Sequence, residues 1–136
     1  PNAYKAVVDS LEPKYAPQGK HVYFVDEVYA KAQGDFDKWL EANGYPVSSH
    51  AGIPDTSTML MLDSSNVWVR RDLIPEALGD MPAPRGSAAQ QSSTPRKNNG
   101  ISGDARRSSA ELGKKVFDMK IDYAVKQIRA LVGGQQ

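Results

Sequence analysis

His21-Val-Tyr-Phe-Val25 is the stretch that sets the expected fold. Its β-branched and aromatic residues favour extended backbone. Apolar side chains fall on both parities, so the predicted strand keeps no solvent face. A strand covered on both sides belongs in an α/β architecture with helices above and below the sheet. Asp26 and Glu27 follow at its C-terminal end, with Tyr29 just beyond. In open α/β sheets ligands bind at that edge, which places these three beside a substrate. The plainer reading has the two acids opening a solvated loop.

Working outward, residues 2–15 read as a helix. Asn2 is its N-cap, Ala3, Ala6, Val7, Ser10 and Leu11 form one face, and Pro13 helps to end it. Pro17-Gln-Gly19 is a turn. Residues 35–43 read as a short helix capped by Asp35, with Phe36, Trp39 and Leu40 inward and Gly44 as the stop.

His50-Ala-Gly-Ile-Pro-Asp55-Thr56-Ser57-Thr-Met-Leu-Met-Leu62 follows. Asp55 or Thr56 caps a helix whose run of Met59, Leu60, Met61 and Leu62 predicts burial all round. An imidazole on a Gly-flexed turn beside a helix N-terminus can transfer protons. A lone His near an Asp is, however, more often a structural residue. Residues 66–78 read as a further helical piece, with Val67, Trp68 and Leu73 inward and Arg70 and Arg71 outward.

Residues 79–103 form a long Pro/Ser-rich loop with almost no large apolar side chain. Ser108-Ser-Ala-Glu111 is a capping box opening a helix to about Val132. Leu112, Val116, Met119 and Tyr123 make one stripe of that helix. Phe117, Ile121, Ala124, Ile128 and Leu131 widen it.

The 136 residues make one domain or half-domain, 1–136, with 40% hydrophobic and 24% charged residues. A net charge of +1 argues against nucleic acid or an anionic membrane as partner. Arg85, Arg96, Lys97, Arg106 and Arg107 form a basic set, but no aromatic residues are interleaved for base stacking. The absence of Cys excludes disulfides, thiolate zinc sites and a cysteine nucleophile. No apolar run approaches a membrane span and no signal-peptide pattern opens the chain, so a cytoplasmic location is expected. P-loop, dinucleotide, H-E-x-x-H and G-x-S-x-G motifs are absent.

Three segments together resemble the creatininase (creatinine amidohydrolase) family. The run from His50 to Leu60 is similar to the family's His-(Ala/Gly)-Gly-x-x-Glu-Thr-Ser-x-Met-Leu segment. The run from Gly103-Asp104 to Glu111-Leu-Gly113 is similar to its Gly-Asp-Pro-x-x-Ala-(Thr/Ser)-x-Glu-Lys-Gly segment. The order of elements around them is the third likeness, and the resemblance covers nearly the whole chain.

The resemblance implies an α/β fold, the C-terminal half of a three-layer α/β/α sandwich with a mostly parallel sheet. It implies hydrolysis of a cyclic or linear amide by two divalent metal ions, zinc or manganese, often in a hexamer. By the same resemblance His50 matches a proton-shuttling histidine. Asp55 matches the family's Glu one methylene shorter, so that its catalytic role is open. Gly52 and Gly103 join Asp26, Glu27 and Tyr29 as expected substrate contacts. The family's metal-ligand motifs are absent from this sequence. The ions are therefore expected mainly on a partner chain carrying the N-terminal half of the fold. A binding or structural subunit that keeps the fold without the chemistry is the alternative.

Overall fold

The computed structural model describes residues 2–46, 48–81, 97 and 99–133. Four α-helices carry the architecture: α1 (Asn2–Tyr15), α2 (Glu27–Ala42), α3 (Ile53–Leu62) and α4 (Ala110–Gly133). Short 3-10 turns lie at Ala16–Gln18 and Arg71–Glu76. No sheet exists among the described residues. Only isolated bridges occur there, antiparallel at Ser48–Gly103 and Leu78–Asp104 and parallel at Asp80–Ser102. The expected three-layer α/β/α sandwich with a parallel sheet is thus overturned, and the described fold is helical.

The reason lies in the stretch that suggested the sheet. Residues 21–25 take no regular secondary structure and pair with no strand among the described residues. The chain reverses at Gly19, at φ +69°, and folds back along α1. There Glu12 accepts the Val22 N–H at 2.7 Å and pairs with the His21 ring at 2.7 Å, while Phe24 stacks on Tyr4. A β-rich composition marks fitness for a pleated surface and does not supply the neighbour that makes a strand.

The core forms where α2, α3 and α4 meet. Ala32, Phe36 and Leu40 recur every fourth residue on α2 and are buried. Phe36 and Leu40 pack with Ile53, Leu112 and Val116, and Trp39, Tyr45 and Met119 close the edge. This stripe holds α2 together through Gly34, so the helix starts at Glu27, eight residues before the expected cap at Asp35. Asp35 instead accepts a hydrogen bond from the Tyr123 hydroxyl of α4. That contact raises the Tyr123 phenol above its ordinary range and, with Lys38, lowers the Asp35 carboxyl. The α2–α4 pair is antiparallel: Gln127 meets the start of α2, and the Lys115 ammonium sits 4.3 Å over the Trp39 ring near its end.

Several inward expectations also give way. On α3 Met59 and Leu62 are exposed, so the helix is not buried all round. Val67, Trp68 and Leu73 are exposed too. Residues 64–70 are not helical; they wrap around Asp63, whose carboxylate is fully buried at the end of α3. Asp63 accepts the N–H groups of Val67 at 2.8 Å and Val69 at 2.9 Å, and Arg71 donates to its carbonyl at 2.9 Å. Burial alone would raise this carboxyl. The N–H groups of Val69, Trp68 and Val67, with the Arg71 charge, outweigh burial and hold it below the usual range. A depressed carboxylate contributes stability above its unfolded value, about 3.9, and loses it as pH falls through the folded value. Asp63→Asn is therefore expected to flatten the acid limb of the Tm-versus-pH curve below about pH 5. An acid limb as steep as that of the parent would show that Asp63 does not titrate this way.

Residues 82–96 and 98, most of the expected loop over 79–103, lie outside the described residues. Among the described residues no helix is long and apolar enough to cross a membrane.

Candidate proton-transfer site at the start of α3

Two close approaches build this site. Ala51 takes a left-handed conformation at φ +52°, which turns the chain immediately after His50. Gly52 is then the N-cap of α3 and is buried. A Cβ at Gly52 would fall 2.5 Å from the Ser48 Cβ and 2.7 Å from its Oγ, so only glycine fits here. The Ser48 hydroxyl accepts the Ile53 N–H at 3.0 Å, satisfying one of the free donors of the first turn.

Asp55 is not the cap that the sequence suggests. It stands in the first turn and reaches back, its Oδ2 accepting the Ala51 N–H at 2.9 Å. Its charge also complements the positive end of the helix dipole. The Thr56 hydroxyl donates to the Ala51 carbonyl at 3.1 Å. Both side chains therefore clamp the residue that follows His50.

Residues 101–104 clamp His50 itself. Ser102 donates its N–H to the His50 carbonyl at 2.9 Å, and Ser49 donates to the Ser102 carbonyl at 2.8 Å. Gly103 is buried with both backbone groups engaged, its N–H on Asp80 at 2.7 Å and its carbonyl on Gly79 at 2.9 Å. Asp104 receives the Arg106 guanidinium through two bonds, of 2.9 and 2.7 Å. That pairing holds its carboxyl below the usual range against the effect of burial. Further on, the Ser57 hydroxyl accepts the Ser109 N–H at 3.2 Å. The expected capping box at Ser108 does not form: the Ser109 hydroxyl caps the helix instead by accepting the Leu112 N–H at 3.3 Å, and the buried Ser108 hydroxyl has no partner among the described residues.

These bonds hold the backbone of His50 on both sides and leave its imidazole exposed, with no side-chain hydrogen bond among the described residues. The geometry brings together His50, Gly52, Asp55 and Gly103. Asp26, Glu27 and Tyr29 sit at the other end of α2, about 24 Å of helix away. There Gln127 bridges the Asp26 carboxylate at 2.8 Å and the Glu27 N–H at 3.0 Å. Asp26 and Tyr29 line a cavity of about 670 Å³ with Tyr4, Phe24 and Ala30. Arg106 and Arg107 are used inside the molecule. Arg107 donates to the Gly44 carbonyl at 2.6 Å and lies 4.1 Å over the Tyr45 ring.

A match to the family model described as creatinine amidohydrolase spans residues 1–128. The chain belongs to the creatininase family. No curated protein and no solved structure matches it. Both segments that carry the likeness, around His50 and around Gly103, meet at the start of α3. Membership in the creatininase family suggests metal-dependent hydrolysis of a small amide. The described residues do not fit the ions that this chemistry uses, because no three His, Asp or Glu side chains converge among them.

The supports that sequence reading missed are Ser48 and Ser102. Ser48 carried a local signal, a hydroxyl just upstream of a glycine that opens a helix. Ser102 carried none, because its contact spans fifty-two positions of chain.

Proposed function

We propose that the chain is the proton-transfer part of a metal-dependent amidohydrolase that cleaves a cyclic or linear amide C–N bond. The observation that supports this reading is the convergence of the two family segments on one turn. Backbone bonds fix His50 there while its imidazole faces solvent. In the reaction water adds to the carbonyl carbon, the C–N bond breaks, and the leaving nitrogen gains a proton. His50 would carry that proton between the water-derived oxygen and the nitrogen. Two divalent ions, zinc or manganese, would sit on a partner chain, since the described residues offer no cluster to hold them.

One observation favours the alternative, a binding subunit without chemistry. A catalytic imidazole is ordinarily oriented by a partner on its second nitrogen, and His50 has none among the described residues.

Native mass spectrometry of the protein isolated from its source cells separates the two. An assembly with a second chain and bound divalent ions, hydrolysing members of an amide panel, is the expected result. An assembly of this chain alone, metal-free and inert toward the panel, would overturn the catalytic reading.

A further inference from the structure

The sequence holds two Asn-Gly pairs, Asn43-Gly44 and Asn99-Gly100. In such a pair the glycine, lacking a Cβ, lets its own nitrogen reach the side-chain amide before it. The structure treats the two differently. Asn43 closes α2 at ψ 16°, and its side-chain amide donates to the Trp39 carbonyl at 2.7 Å. The Gly44 nitrogen is engaged as well, its N–H on the Glu41 carbonyl at 3.0 Å. Asn99 and Gly100 are exposed, and the Gly100 N–H makes no hydrogen bond among the described residues. Nothing lies within 4 Å of a Cβ built on Gly100. Asn99 Oδ1 accepts the Ile101 N–H at 3.2 Å, which folds the side chain back along the Gly100 peptide. The same N–H stabilises negative charge on that oxygen when a nucleophile adds to Cγ.

We propose that Asn99 is a site of spontaneous deamidation whose products loosen the backbone that holds His50. Hydroxide removes the Gly100 N–H proton, the nitrogen bonds to Asn99 Cγ, and Nδ2 takes a proton from water and leaves as ammonia. Water then opens the cyclic imide at either carbonyl. One opening gives aspartate; the other gives isoaspartate, whose backbone is a methylene longer. The balance is water in and ammonia out, with nothing oxidised or reduced. Asn99 Nδ2 donates to the Leu78 carbonyl at 3.2 Å, where the Lys97 ammonium also donates at 3.3 Å. A carboxylate at residue 99 offers Leu78 no donor and draws that ammonium toward itself. Isoaspartate displaces Ile101 as well. Ile101 passes so close to Gly79 that a Cβ there would fall 1.9 Å from its carbonyl oxygen. Ser102 follows, and its N–H is the donor on the His50 carbonyl. This chemistry is independent of amide hydrolysis.

The test ages the purified chain at neutral and at alkaline pH. Fragment-ion mass spectrometry locates the exchange of ammonia for water, and enzymatic methylation detects isoaspartate. In the folded chain Asn99 is expected to convert well before Asn43, and faster at alkaline pH. In urea, where both pairs are free, the two should convert at similar rates. Asn99→Gln should block conversion at residue 99, because glutamine closes its larger ring far more slowly. By hydrogen exchange, the Ser102 amide of the deamidated fraction is expected to open about two- to tenfold more often than in fresh protein, the worth of one hydrogen bond. An Asn99 that converts no faster than Asn43 in the folded chain, or a preference for Asn99 that persists undiminished in urea, would overturn the site. A deamidated chain whose Ser102 amide exchanges as in fresh protein would overturn the coupling to His50.

Discussion

Gly113→Ala is expected to unfold the helical core or to lower its Tm by roughly 10 °C or more. In an ordinary helix interior the exchange would stabilise by about 1 kcal/mol, because alanine has the better helix propensity. At Gly113 a Cβ would lie 2.0 Å from the Ser57 carbonyl oxygen and 2.6 Å from its carbon. Both are backbone atoms of α3, so no side chain can swing aside. The helices would have to part, and the separation would spread to Ile53, Leu112 and Val116 in the core. Overpacking alone costs about 1–3 kcal/mol and occasionally more. Domains of this size hold only about 5–15 kcal/mol in total. Gly34→Ala is the control, since nothing lies within 4 Å of the added carbon; its Tm should hold or rise slightly. Thermal melts of the two variants side by side decide the matter. A Gly113→Ala protein melting with the parent would mean that α3 and α4 do not approach this closely.

His50→Ala is expected to lower turnover of the metal-loaded assembly by about 10²–10⁴-fold, the usual range for losing a proton-transfer group. The same change should leave Tm nearly untouched. The imidazole is exposed, and the bonds that hold the turn come from the backbone of His50 and not from its ring. This split separates a chemical role from a structural one. Full turnover in the variant would remove His50 from the proton path, and a large fall in Tm would show the ring to be part of the scaffold.

Elements with strong local signals were legible. The helix over Asn2–Tyr15 follows from its apolar spacing, although Pro13 lies inside it and does not end it, and the stop around Gly44 follows from a left-handed glycine. The helix from Ala110 follows from its cap, displaced by one residue to Ser109. The two family segments were legible as a likeness, and the residues that carry it meet in space. The sheet was misread because residues 21–25 look like a strand one residue at a time, whereas a strand exists only with a neighbour. Their neighbour is α1, whose Glu12 takes the Val22 N–H. Trp68 was misplaced because apolar content was taken for burial. The buried Asp63 organises that loop from the side, through a carboxylate that no periodicity reveals. The split of the α4 residues into a core face and an exposed face depends on where α2 and α3 end, which the α4 sequence does not contain.

The bridges that tie Leu78 to Asp104 and Asp80 to Ser102 join residues 78–80 to residues 102–104. Because Ser102 also holds the His50 carbonyl, a displacement of residues 78–80 is passed through residues 102–104 to the His50 turn. Residues 78–80, residues 102–104 and the His50 turn are thus coupled through three short stretches of backbone.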